Sequence, residues 1–196
     1  MIISHKYKFI FIKTRKTGGS SIEKYLLDYL EGTDYVFGGM PPEGLRPYNV
    51  EGDQEHKGWR WIKENYPVEW NSYYKFAVDR NPWDRYVSAY YWYKSAKPKK
   101  VKHGWDEFIR RPGIHEHYVE WKLYANDNDI VVDKLVQFEK LHETFKELPI
   151  PYNDELLVTH LKKTVRPNYR SMYNNETKAL VEKSCKNVID YFKYTF

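Results

Sequence analysis

The chain reads as an α/β fold, P-loop-like and three-layered, with a short, mainly parallel sheet of about four or five strands flanked by helices. Three observations predict it. Phe9-Ile10-Phe11-Ile12 is an uninterrupted apolar run, the pattern of a strand buried on both faces. A polar, glycine-bearing loop from Thr14 to Gly19 follows at once. Behind it Ile22, Tyr25, Leu26, Tyr29 and Leu30 recur at helical spacing, with Ser20 or Ser21 as N-cap and Gly32 as the stop.

The remaining elements follow in order. Tyr35-Val36-Phe37 forms a second short strand, and residues 38–54, with their Gly and Pro, form an irregular loop. A helix from His56 to Asn65 ends ahead of Pro67, because the residue before a proline is pushed out of the helical region. Tyr74 to Val78 is a third strand, and Pro82, suited to a first helical turn, opens a helix running to Lys94. Residues 97–103 make a basic loop; Trp105 to Arg110 and Glu116 to Tyr124 are short helices. Lys134 to Phe138 is a further strand, followed by a helix through Leu148, and Glu176 to Phe192 is the last helix. No repeat, low-complexity tract or linker interrupts the 196 residues, so residues 1–196 are expected to form a single domain.

Composition narrows the chemistry. Charged residues make up 30% of the chain and are well mixed, which argues against disorder. Tyr and Trp, 19 and 7 in number, suit both a core and a wet binding surface; Trp59, Trp61, Trp92 and Trp105 are open to either use. A net charge of +5 suits an anionic ligand without choosing among nucleotide, sulfated glycan and nucleic acid. Cys185 is the lone cysteine, excluding an internal disulfide and a Cys-based metal site. Its neighbours Val181, Val188, Ile189 and Phe192 keep helical spacing, so it reads as a core thiol. His115 and His117 lack acidic or cysteine company and read as surface residues; no metal is expected. No run approaches the roughly 18 apolar residues of a membrane span, and Met1 to Lys8 is broken by charge and lacks a signal-peptide core. A cytoplasmic location is the expectation.

Two segments carry chemistry. In Lys13-Thr14-Arg15-Lys16-Thr17-Gly18-Gly19-Ser20-Ser21, a glycine loop at a helix N-terminus aims backbone N–H groups and the helix dipole at an anion. Gly18 and Gly19 permit close backbone approach, the serines add hydroxyls, and Lys16 adds a full charge. A Walker A loop places its lysine after the second glycine; here the lysine comes before both. The second segment is Asp79-Arg80-Asn81-Pro82-Trp83-Asp84-Arg85-Tyr86-Val87-Ser88-Ala89-Tyr90. Arg80 stands at a strand end, where ligands of α/β sheets bind. Helical spacing puts Arg85, Ser88 and Trp92 on one face, and an arginine beside a serine suits a phosphate monoester. Pairing of Arg80 and Arg85 with Asp79 and Asp84 in a structural network is the alternative.

Together the two segments resemble the sulfotransferases that use 3′-phosphoadenosine 5′-phosphosulfate (PAPS). Lys16-Thr17-Gly18-Gly19-Ser20-Ser21 is similar to their 5′-phosphosulfate loop, and Arg80-Asn81-Pro82-x2-Arg85-x2-Ser88-x-Tyr90 to their 3′-phosphate motif. The likeness is closest to the carbohydrate sulfotransferases, Golgi-type and bacterial, with their Pro-Lys-Thr-Gly-Gly-Thr-Ser motif. It extends to Trp70–Phe76, to Val132–Glu139 and to the closing Tyr194-Thr195-Phe196. Arg15 stands where that motif has proline, and Asp79 where an apolar residue is common.

The resemblance implies an enzyme that moves a sulfuryl group from PAPS to an acceptor hydroxyl on a carbohydrate, with no metal required. It places Lys16 on the bridging oxygen and 5′-phosphate, with Arg15 as an extra contact and the backbone of Thr17, Gly18, Gly19, Ser20 and Ser21 around that phosphate. Arg80 and Ser88 fall on the 3′-phosphate; Arg166, Tyr169 and Arg170 fall where the family closes a loop over the nucleotide. His56 matches the candidate general base, with Glu55 and Glu51 as substitutes; an unperturbed imidazole titrates near working pH. A P-loop kinase is the enzyme alternative, lacking the lysine placement and an acidic metal-binding strand end. A nucleic-acid-binding module would use the Lys97–Lys102 basic run and the tyrosines, but leaves the paired motifs unexplained.

Overall fold

The computed structural model describes residues 1–38, 55–98, 104–127, 129–153 and 165–196. Most of the expected loop at 38–54, Glu51 within it, and most of the basic loop at 97–103 lie outside the described residues. The chain groups into two compact units, one of Met1–Asp79 with Lys122–Leu161, the other of Arg80–Trp121 with Lys162–Phe196.

The first unit holds a five-stranded sheet among the described residues, in the order β3-β1-β2-β4-β5. Its strands are β1 (Ile2–Ser4), β2 (Phe9–Ile12), β3 (Tyr35–Val36), β4 (Tyr74–Asp79) and β5 (Lys134–Gln137). β2, β4 and β5 run parallel, with Phe11 opposite Phe76 and Ala77 opposite Leu135. β1 is antiparallel to both its neighbours. Side chains alternate across a strand, and every residue of β2 is buried. Phe9 and Phe11 join Phe76, Val78 and Val136 against Ile22, Tyr25 and Leu26 of α1 (Gly19–Leu27) and Phe145 of α7 (Leu141–Phe145). The rings of Phe11 and Phe76 stack at 5.1 Å, and Phe145 meets Phe76 edge-on at 5.7 Å. Burial of each such side chain stabilises by about 1.5–3 kcal/mol.

β1 was not predicted, because the charges of the first eight residues hide Ile2 and Ile3, which pair with Phe11 and Ile10. α1 starts earlier than Ser20 or Ser21 as N-cap would have it: Gly18 is the cap, and the helix ends at Leu27, short of Gly32. Pro67 ends one helix and begins another. α2 (Trp59–Asn65) stops before it, and α3 (Pro67–Ser72) starts on it, since proline fits a first helical position.

The second unit is helical: α4 (Pro82–Ala96), α5 (Trp105–Arg110), α6 (Ile114–Tyr118), α8 (Asn175–Ser184) and α9 (Lys186–Phe192). Trp83, Tyr86 and Tyr90 of α4 pack with Phe108, Tyr118, Val181, Cys185 and Val188. Cys185 is buried there, and the single C-terminal helix expected from periodicity breaks at that residue. α4 is capped by Asn81, whose Oδ1 accepts from the Asp84 amide at 3.2 Å. Arg85 is fully buried, and its Nη2 donates to the Arg80 carbonyl at 3.4 Å. His115 is less exposed than expected: Nδ1 lies 3.0 Å from Tyr86 Oη and 3.1 Å from Ser184 Oγ.

Candidate active site

In the first unit, chemistry gathers where β2 ends. Thr14 Oγ1 donates to the Val78 carbonyl on β4, and Thr17 Oγ1 lies 2.8 Å from it. The root of the loop is thus tied to the neighbouring strand. Two left-handed residues turn the chain, Lys16 at φ 63° and Gly18 at φ 74°. That conformation costs a non-glycine residue about 1–2 kcal/mol, so the surrounding structure imposes it on Lys16. At Gly18 a Cβ would also sit 3.0 Å from the Phe138 ring. The loop delivers Gly19, Ser20 and Ser21 as the first turn of α1, at the positive end of the helix dipole, and the Ser21 amide donates to the Gly18 carbonyl at 2.8 Å.

Gly19 also has a side-chain neighbour. A Cβ on it would lie 2.8 Å from Lys13 Cγ and 3.3 Å from Lys13 Cε, so the glycine makes room for the stem of a buried lysine. Lys13 Nζ donates to Glu23 of α1 at 2.8 Å and pairs with the Glu55 carboxylate. Burial pushes the Glu55 carboxyl up, but the hydrogen bond and charge of Lys13 outweigh it and hold the group below the ordinary carboxylate range.

His56 is next in the chain. Its Nδ1 lies 2.8 Å from the Lys13 carbonyl, which can only accept, so Nδ1 carries the proton and Nε2 holds the lone pair. Burial, aided by the positive charge of Arg15, pushes the imidazole pKa down to about 4, against the opposing pull of the Lys13 carbonyl. The unperturbed titration expected near working pH is not what this environment produces.

The second unit carries the arginine cluster. Arg80 is buried, and its Nε donates to Asp84 Oδ2 at 2.9 Å. Arg166 grips the same carboxylate, Nη2 to Oδ2 at 3.0 Å and Nη1 to Oδ1. Burial pushes the Asp84 carboxyl up; the Arg166 hydrogen bonds and the Arg80 charge override it and hold it below its ordinary range. Ser88, half-buried, stands one helical turn beyond Asp84 on α4. Tyr169 Oη accepts from Asn81 Nδ2 at 3.4 Å, and the exposed Arg170 guanidinium lies 4.7 Å from the Tyr169 ring centroid.

A model of the sulfotransferase family matches residues 1–177. The chain belongs to the sulfotransferase family. No curated protein sequence matches it. Among solved structures it is similar to mouse sulfotransferase SULT7A1 complexed with 3′-phosphoadenosine 5′-phosphate (PAP), at a TM-score of 0.59 and 13% identity, covering 97% of this chain and 89% of that one. That likeness is one of fold.

Within this sulfotransferase, the structure draws together residues far apart in sequence. Arg15, Lys16 and His56 gather around the end of β2, and Arg80, Arg166 and Tyr169 around the start of α4. The pairing of Arg80 with Asp84 follows the structural-network alternative, with Arg166 as a further member. Asp79, fully buried, instead accepts from Tyr124 Oη, which accounts for an acid at that position. Sequence reasoning missed Lys13 and Glu23; the only local trace of their role is the glycine that Lys13 demands at position 19. Of the tryptophans, Trp105 lies against the helical core of the second unit, and Trp59 donates to the Ala125 carbonyl at 2.9 Å. Among the described residues no helix is long and apolar enough to cross a membrane, and no group of three or more His, Cys, Asp or Glu is placed to hold a metal ion.

Proposed function

We propose that this sulfotransferase moves a sulfuryl group from PAPS to a hydroxyl of a carbohydrate acceptor. The observation that carries the proposal is the state of His56: a neutral imidazole, proton on Nδ1, tied to the residue from which the glycine loop springs. A lone pair on Nε2 is what a general base needs to take the acceptor proton. As the acceptor oxygen bonds to sulfur, the bond from sulfur to the 5′-phosphate oxygen breaks and the proton passes to Nε2. Lys16 neutralises the charge that grows on the departing phosphate, and the backbone of Thr17 to Ser21 holds that group. The charge of Arg15 adds to burial in disfavouring the His56 cation, and Arg15 is the extra contact to the phosphosulfate.

Arg80 and Ser88 take the 3′-phosphate, with Arg166 held beside Arg80 by Asp84 and Tyr169–Arg170 covering the nucleotide. The PAP in the mouse neighbour supports a nucleotide of this kind. The carbohydrate class rests on the likeness of the Lys16–Ser21 and Arg80–Tyr90 motifs to the carbohydrate sulfotransferases.

Calorimetry with PAP and AMP tests the donor assignment. One charge-assisted contact is worth about 1.5–3 kcal/mol, so Arg80 and Ser88 together should make PAP bind at least about a hundredfold tighter than AMP. Arg80→Ala should shrink that gap at least tenfold. Equal affinities for the two nucleotides in the unaltered protein would refute the assignment. Transfer of labelled sulfate from PAPS to a panel of glycans, small alcohols and tyrosine peptides tests the acceptor class.

A further inference from the structure

We propose that Lys13 is a positioning residue for His56, holding the Glu55–His56 segment against the end of β2 through its ammonium and its backbone carbonyl. The inference rests on the role of His56 proposed above.

Lys13 makes both ties itself. Its carbonyl accepts from His56 Nδ1 at 2.8 Å, and its Nζ pairs with the carboxylate of the preceding residue, Glu55. Nζ is anchored in turn by Glu23 of α1 at 2.8 Å. One side chain therefore links β2, the helix that follows the glycine loop, and the segment bearing the imidazole. The neighbouring backbone is shaped around this arrangement. Gly19 leaves room for the Lys13 stem, and Gly38, at φ 79°, faces Glu55 so closely that a Cβ would lie 3.0 Å from Glu55 Cα.

Stability alone gives little reason to build such a network. A buried ion pair can often be replaced by apolar side chains with no loss of stability, because desolvation offsets the attraction. Its geometric consequence is specific. The two ties hold the imidazole with Nδ1 toward the carbonyl and leave the lone pair on Nε2. Lys13 touches no reacting atom in this scheme; it acts through His56.

The test is Lys13→Met combined with Glu23→Gln, which removes the ammonium tie and keeps the backbone carbonyl, while leaving no carboxylate buried without a partner, since Glu55 is partly exposed. The double variant should bind PAP within about twofold of the parent, because the loop backbone is untouched, yet lose at least tenfold in kcat. Nitrogen NMR of His56 at neutral pH should change from a single tautomer, Nε2 unprotonated, to an exchanging mixture. Glu55→Gln keeps a hydrogen bond to Lys13 and should retain kcat within about threefold, which separates a tether from a base. If the double variant fails to fold, Glu55→Ala, which leaves Lys13 paired with Glu23, is judged by the same readouts.

A folded variant with parental kcat, or one whose His56 tautomer is unchanged, overturns the inference. His56→Ala measured alongside keeps the two proposals apart: parental turnover in that variant would overturn the general-base role instead.

Discussion

Replacing His56 by glutamine removes one titration from the folded protein, and the structure sets its size and direction. The imidazole falls from its ordinary 6.5 to about 4, because burial disfavours the cation. The unfolded chain therefore binds the proton more readily than the folded one between those two pH values. Stability that is complete above pH 6.5 is lost as the pH falls toward about 4. At about 1.36 kcal/mol per tenfold, the full loss amounts to about 3 kcal/mol.

Urea unfolding at closely spaced pH values, on the parent and on His56→Gln, isolates this contribution as the difference between two curves. His115, also lowered by burial, is common to both proteins and cancels. Glu55 and Asp84, held low by their cationic partners, titrate below their ordinary carboxylate range and so act at more acid pH. With His56 as the proposed base, the same shift should put the acid limb of kcat near pH 4 and not near 6.5. Parallel stability curves, or an acid limb near 6.5, would refute the burial argument for His56.

Two further outcomes follow from the loop. Lys16→Ala should lower kcat about a hundredfold or more, the loss expected for one preorganised donor at a charge that develops in the transition state, with the fold intact by circular dichroism; a change confined to KM would make Lys16 a binding residue only. Gly19→Ala should destabilise by about 1–3 kcal/mol in chemical denaturation, because the new methyl meets a Lys13 stem pinned by Glu23 and Glu55; a variant as stable as the parent would show that Lys13 can move aside.

Some of this was legible without coordinates because it is local. An apolar run followed directly by a glycine loop and a 3.6-residue period dictates strand, turn and helix from neighbouring side chains alone; Phe9–Ile12 forms its strand and α1 follows the loop, though with ends other than the pattern puts them. Arg80 at a strand end and Pro82 at a helix start are equally local. Where charge and helix-breaking residues punctuate the pattern, the local signal misleads. β1 is hidden by its flanking lysines, and the expected helix at 116–124 is instead α6, opened by Gly113 at φ 77°, and a 3₁₀ turn at Trp121–Leu123.

By itself, then, the sequence determined the strand–loop–helix opening, the glycine-loop and arginine motifs and the family they resemble. Only the tertiary structure decided how their side chains are employed. Lys13 meets Glu55 across 42 residues, and Asp84 meets Arg166 across 82. Neither pairing leaves a trace in spacing or periodicity, since a buried charge finds its partner wherever packing brings an opposite charge within hydrogen-bonding reach. The same holds for His56: its identity is in the sequence, while its tautomer and lowered pKa come from the carbonyl and the burial that folding supplies.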